Sequence, residues 1–120
     1  MFFTDSHEWI EVEGDLGKVG ITSHAQKELG DIVYVELPTV GKKIHAGEEV
    51  VILESTKAAA DIYGPVSGEI VAVNEELNHS PQLLNESPEG RGWLFQIRLS
   101  SLEELNGLMN QAAYQQLVDS

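Results

Sequence analysis

Lys57 lies within Val50-Val51-Ile52-Leu53-Glu54-Ser55-Thr56-Lys57-Ala58-Ala59-Ala60-Asp61-Ile62-Tyr63, between an apolar run and a run of small residues. Ser55 and Thr56 tolerate a turn, so the pattern reads as a hairpin with the lysine at its tip. The alanines leave the ε-amine clear of bulky neighbours. A rigid tip also offers a modifying enzyme a fixed position and approach angle. On geometry alone, an ordinary exposed lysine on a β-turn accounts for the same residues, and it is the commoner case.

Other chemistries find little support. With no cysteine, disulfides, zinc–thiolate sites and a thiol nucleophile are all excluded. Any sulfur chemistry must come with a prosthetic group. His7, His24, His45 and His79 show no pair at i, i+4 and no third ligand of evident spacing, so structural or surface roles are expected and no metal. Gly17-Lys18 is followed by Val19 and preceded five positions earlier by Val12, which fails the phosphate-loop pattern. No serine sits in a G-x-S-x-G elbow. Asn78-His79-Ser80 matches a glycosylation sequon, but nothing suggests secretion. Close carboxylate pairs arise by chance among 20 acidic residues in 120. No enzyme is indicated.

Seven basic residues face 20 acidic ones, for a net charge of -13. Such a chain repels nucleic acid and anionic membrane surfaces, which require clustered Lys and Arg. The charge serves solubility or steers the protein toward basic patches on partners, and both readings stand. No apolar stretch approaches the ~18 residues of a membrane span. Met1-Phe2-Phe3-Thr4-Asp5 has no basic n-region, so no signal peptide and a cytoplasmic location are expected. A length of 120 residues with 42% hydrophobic content fits one domain, residues 1–120.

The elements that must position Lys57 read mostly as strands. Trp9-Ile10-Glu11-Val12-Glu13, a turn at Gly14-Asp15, and Gly17-Lys18-Val19-Gly20-Ile21 form a hairpin. A short helix follows, with Ser23 and Gln26 at capping-box spacing and Gly30 at its stop. Strands are expected from Asp31 to Leu37, Glu48 to Glu54, Ala58 to Tyr63, Glu69 to Asn74 and Trp93 to Leu99. Gly47 and Gly68 are expected in turns that need positive φ. Gly30-Asp31-Ile32-Val33-Tyr34-Val35 echoes Gly68-Glu69-Ile70-Val71-Ala72-Val73, which suggests two similar sheets or a chance pairing of ordinary strands. From residue 101 to 118 the period turns helical. Ser101 and Glu104 have capping-box spacing, and Gly107 and Asn110 divide the tail. No flanking linker is evident, so a complete small protein is expected.

The stretch from Glu54 to Ile70 resembles the lipoylation region of glycine cleavage H proteins. Ser6-His7-Glu8-Trp9 is similar to that family's N-terminal segment. Gly20-Ile21-Thr22, His24-Ala25-Gln26 and the run from Leu29 to Pro38 resemble its second block. Val73-Asn74, Leu77, Pro81, Leu83, Asn85 and Gly92-Trp93-Leu94 resemble its third, and the tail from Leu105 to Val118 also fits. The resemblance covers nearly the whole chain. It departs at Gly64, where Ser or Ala is more usual, at Glu89, where Tyr is common, and at Gln96, where Lys is common.

The resemblance implies a mainly β, hybrid barrel-sandwich fold of the lipoyl/biotinyl type, with two quasi-symmetric antiparallel sheets, short helices and a helical tail. It implies a monomeric, non-catalytic carrier with lipoate amide-linked to Lys57. A lipoate ligase or octanoyltransferase would begin the modification. The arm would accept an aminomethyl group at a pyridoxal-phosphate glycine decarboxylase, yield it to a tetrahydrofolate-dependent aminomethyltransferase, and be reoxidised by dihydrolipoamide dehydrogenase. Ser6, Glu8 and Asp61 would line a cleft for the loaded arm. The plainer reading makes Glu8 and Asp61 two of 20 surface acids. Among relatives of this fold, a biotin carrier places its lysine between methionines, whereas Lys57 stands between Thr56 and Ala58. A lipoyl domain of a 2-oxoacid dehydrogenase precedes a flexible linker, which is not evident here. A lipoyl donor or regulatory scaffold without glycine cleavage is the remaining alternative.

Overall fold

Short alternating runs rich in Val, Ile and aromatic residues, broken by Gly, Asp and Pro, favour successive antiparallel pairings. The computed structural model describes residues 1–119. Its strands are β1 (Phe2–Phe3), β2 (Glu8–Glu13), β3 (Leu16–Ile21), β4 (Ile32–Glu36), β5 (Lys43–Ile44), β6 (Glu49–Ser55), β7 (Ala59–Tyr63), β8 (Gly68–Val73) and β9 (Phe95–Leu99). Helix α1 (Ser23–Leu29) follows β3, α2 (Leu83–Glu86) precedes β9, and α3 (Gln111–Asp119) ends the described chain. Tight 3-10 segments occupy Glu75–Asn78 and Leu102–Gly107. No helix among the described residues is long and apolar enough to cross a membrane.

Two antiparallel sheets result. One runs β1-β2-β3-β9-β8-β5 and the other β4-β6-β7. The echoing segments supply β4 and β8, one to each sheet. Between the sheets lies the main core, with Ile10, Val19, Ile70 and Ile97 from the larger and Val35, Val51, Leu53 and Ile62 from the smaller. Each such side chain stabilises the fold by about 1.5–3 kcal/mol relative to exposure. Bulges interrupt β4 against β6, β6 against β7 and β8 against β9, adding the twist that lets the sheets close on one another.

The tail is tied back to the start of the chain. Phe3 and Met109 exchange backbone hydrogen bonds of 2.8 and 2.9 Å. Phe3 stacks on Tyr114 with ring centroids 4.6 Å apart, and buried Trp9 completes this second apolar cluster. The Trp9 indole N–H donates to the Pro88 carbonyl at 3.0 Å, which satisfies its polar edge.

Three local expectations are corrected. The cap of α1 is Thr22, not Ser23, since Thr22 is extended and its hydroxyl accepts from the Ala25 N–H at 3.2 Å while Ser23 is already helical. The tail forms no capping box, because Ser101 makes no side-chain cap bond and Glu104 is drawn elsewhere. Its carboxylate accepts from the N–H and hydroxyl of Ser67 at 2.7 and 2.9 Å. Gly47 has a positive φ of +85°, as expected, but Gly68 does not. Gly68 is needed for close approach instead, since a Cβ there would overlap the Arg98 carbonyl on β9.

These constraints rank three substitutions. Gly68→Val should be the most damaging, by about 2 kcal/mol or more, because backbone must move to admit it. Gly47→Ala meets no atom within 4 Å and carries only backbone strain, of about 1 kcal/mol. Lys57→Ala should stay within about 0.5 kcal/mol. Thermal unfolding checks the order; a midpoint that drops further for Lys57→Ala than for Gly68→Val would overturn this placement of the strands.

Candidate functional site

Lys57 occupies the tip between β6 and β7, with its side chain exposed. Ser55 organises the turn. Its hydroxyl oxygen accepts from the N–H groups of Lys57 and Ala58 at 3.1 and 3.0 Å, and its own O–H donates to the Ala58 carbonyl at 3.1 Å. The Ser55 N–H donates to the same carbonyl at 2.8 Å. The Thr56 N–H donates to the Asp31 carbonyl at 3.1 Å, which ties the tip to the entry of β4. The tip backbone is thus held while the lysine side chain remains exposed.

The Lys57 side chain lies across Gly30, the residue that ends α1. A Cβ at Gly30 would sit 2.8 Å from Lys57 Cε, and the φ of +82° disfavours any side chain there. Gly30 therefore leaves a groove for the lysine at the carbonyl end of the helix, where the helix dipole attracts a positive charge. Asn85 braces this corner, since its carbonyl oxygen accepts from the Ile32 N–H at 2.9 Å and from the Gln26 amide at 3.3 Å.

Ser6 and Glu8 come together on the loop from β1 into β2. Glu8 is buried, with 1% of its surface exposed. One carboxylate oxygen accepts from the hydroxyls of Ser6, at 2.6 Å, and Thr4. The other accepts from the Tyr63 N–H at 3.4 Å. No cation pairs with it among the described residues. Burial pushes the carboxyl above its ordinary range, while the Ser6, Thr4 and Tyr63 hydrogen bonds pull it back in part. The plainer reading of Glu8 as a surface acid is therefore corrected.

Glu8 and Ser6 line a cleft of about 410 Å³ whose other walls include Thr4, Tyr63, Pro65 and Met109. Asp61 is not part of this lining. It sits exposed on β7 and, by strand alternation, on the same face as Tyr63. At ~3.3 Å per residue, β7 carries the chain ~13 Å from Lys57 to Asp61 and ~20 Å to Tyr63. Asp61 thus lies between the tip and the cleft.

Thr4, the Tyr63 N–H and the tail wall at Met109 were not read from the sequence. A hydroxyl at each of Thr4 and Ser6 before Glu8 was the available signal for the first. The others depend on long-range pairing. Of the three departures from the family pattern, Glu89 has a local role, accepting from the Ser23 N–H at 2.8 Å where α1 begins.

Known proteins match both this sequence and this backbone. A family model described as glycine cleavage H-protein matches residues 1–120. The glycine cleavage system H protein of Aeromonas salmonicida is 57% identical over 118 residues, 98% of this chain and 92% of that relative. The protein of the same name from Thermotoga maritima is 52% identical over 114 residues, 95% of this chain and 92% of that relative. The crystal structure of a glycine cleavage system H protein from Mycobacterium marinum matches with a TM-score of 0.90 at 36% identity, covering 99% of this chain and 96% of that one. With sequence and backbone agreeing from end to end, the chain belongs to the glycine cleavage H-protein family.

Proposed function

We propose that the protein carries lipoate in amide linkage on Lys57, and that Ser6, Glu8 and Asp61 receive the positively charged one-carbon cargo. As a family member the chain is a non-catalytic carrier of the glycine cleavage system. The observation that carries the attachment site is an exposed lysine on a tip whose backbone is fixed by Ser55 and Asp31. When bound, lipoate supplies a disulfide that can take up a group, be reduced and be reoxidised. The protein's own contribution is to present, steer and shelter. Acylation removes the lysine charge, which frees the side chain from the helix end at Gly30.

Glu8 suits a cationic cargo. Its carboxylate is desolvated and held by neutral donors only, so an arriving ammonium meets a strong local field. Asp61, exposed on the strand leading from the tip, supplies a first acidic contact on the way. The cleft walls at Pro65 and Met109 limit water around a labile cargo. The partners proposed are a pyridoxal-phosphate glycine decarboxylase, a tetrahydrofolate-dependent aminomethyltransferase, dihydrolipoamide dehydrogenase and a lipoate-attaching enzyme, acting in the cytoplasm.

Lys57→Arg is expected to fold normally and to lose all lipoate mass after treatment with a lipoate ligase, as read by intact mass spectrometry. Lipoate on another lysine of that variant would overturn the assignment. Glu8→Gln combined with Asp61→Asn should leave lipoylation and reoxidation nearly unchanged, since neither needs a cation held. The loaded protein should then lose its cargo several-fold faster or more, because a charge-assisted hydrogen bond contributes about 1.5–3 kcal/mol. Intact mass followed over time after removal of the decarboxylase measures this decay. Equal decay of wild type and double variant would leave Glu8 a buried structural acid and Asp61 an ordinary surface one, and would overturn their cargo role.

A further inference from the structure

Helix α1 meets the lysine through Gly30, just past its end, but another of its faces meets the N-terminal loop. His24 and Glu28 lie one turn apart, with His24 Nε2 2.8 Å from Glu28 Oε1. The loop between β1 and β2 delivers His7 to the same place, bringing its ring centroid within 4.6 Å of that of His24. His7 is the one non-glycine residue with positive φ among those described, at +72°. A left-handed backbone is disfavoured for a residue with a side chain and is retained where it positions something. Here it turns the imidazole toward α1. His7 Nδ1 lies 2.8 Å from the Tyr114 hydroxyl, which itself lies 2.7 Å from Thr22 Oγ1. That contact fixes the ring and leaves Nε2 for a further partner.

We propose that His7, His24 and Glu28 form an open three-ligand site for a divalent transition ion, with zinc as the best-suited cation and water completing its shell. One ligand atom from each of the three lies within 4.8 Å of the other two. Two imidazoles and one carboxylate are the donor set of open zinc sites, with ligand atoms ~2.0–2.2 Å from the ion. In a tetrahedral arrangement such atoms stand ~3.4 Å apart, so closure needs a shift of an ångström or so. Glu28 is exposed and can supply it by rotating. The ion takes the place of the hydrogen bond between His24 and Glu28. Tyr114 acts behind His7 as an outer partner that orients the ring, an arrangement typical of ligating histidines. The net charge of -13 concentrates cations near the surface. Bound there, the ion clips the Ser6–Glu8 loop to α1 and, through Tyr114, to α3. The site does not depend on modification of Lys57.

Zinc chloride titrated into the full-length chain, with any arm kept oxidised, tests the site. One equivalent is expected to bind saturably and to raise the thermal midpoint, with EDTA reversing the shift. In imidazole nitrogen-15 spectra the His7 and His24 signals should move while those of His45 and His79 stay. Glu28→Gln, a conservative change on an exposed residue, should weaken binding by about tenfold or more, and His24→Gln should abolish it. Amide spectra of both variants would establish that the fold is kept. Absence of saturation, equal movement of all four histidines, or unchanged affinity in both variants would overturn the site.

Discussion

A carboxylate buried without a cation sets the terms for the rest of this structure. Glu8 is 1% exposed and stands at the start of β2, where three neighbours must converge to make its burial tolerable. Thr4 and Ser6 come from its own loop, which bends so that both hydroxyls reach one oxygen. Tyr63 comes from the end of β7, in the other sheet, and its backbone N–H reaches the second oxygen. The pairing therefore joins the N-terminal loop to the strand that descends from the lysine tip. The tail closes the same region, because Met109 exchanges backbone hydrogen bonds with Phe3 one residue before Thr4. Disturbing any of these supports would leave a desolvated acid short of donors, which costs more than the bonds themselves contribute.

The tip and the cleft divide rigidity between backbone and side chain. A carrier needs a mobile arm, but a modifying enzyme needs a fixed address. Ser55 and the Asp31 carbonyl hold the backbone of the tip, and the core below it, from Leu53 and Ile62, is closed. Motion is thereby confined to the rotatable bonds beyond Lys57 Cα. On the proposed reading, ordering entropy in the arm would be the main cost of docking it in a cleft, and contacts at Asp61 and Glu8 would have to offset that cost.

What was legible in the chain follows the range of the interactions concerned. The hairpins and the lysine tip rest on local patterns of alternation and turn residues, and they stand where Gly14-Asp15 and Ser55-Thr56 place them. The stop of α1 at Gly30 and the division of the tail near Gly107 and Asn110 are likewise local. Capping was misplaced by one residue at Thr22, because Thr22 and Ser23 carry equivalent hydroxyls and only backbone torsion separates them. Glu104 was misread because its partner, Ser67, lies in a distant turn. Gly68 has the expected residue for an unexpected reason, since the packing of β8 on β9 cannot be seen from a turn motif. The burial of Glu8 was hidden for the same cause. Nothing in Ser6-His7-Glu8-Trp9 says which of its two charged or ionisable groups faces inward. The meeting of His7 with His24 likewise needs a left-handed backbone that histidine does not advertise.

The lack of a cation beside Glu8 among the described residues suits the proposed cargo role. An arginine or lysine beside the carboxylate would make its burial easier, because a paired ion recovers much of the desolvation cost. It would also occupy the site against any incoming ammonium, and the cleft would then discriminate poorly between loaded and empty arms. Hydroxyls and a backbone N–H are weaker substitutes that leave the charge unneutralised. The folded protein therefore keeps a desolvated acid that a proton or an arriving cation can neutralise. In the proposed role an empty dithiolane would bring no charge and gain little from the cleft, and so would remain available to partners. A cargo ammonium would gain a charge-assisted contact there and be drawn out of water. The difference between the two states is set by one acid and its neutral donors. The net charge of -13 adds a long-range attraction for cations that salt screens within about 10 Å. On the proposed reading, selectivity for a loaded arm would therefore reside in the short-range geometry at Glu8 and not in the overall charge.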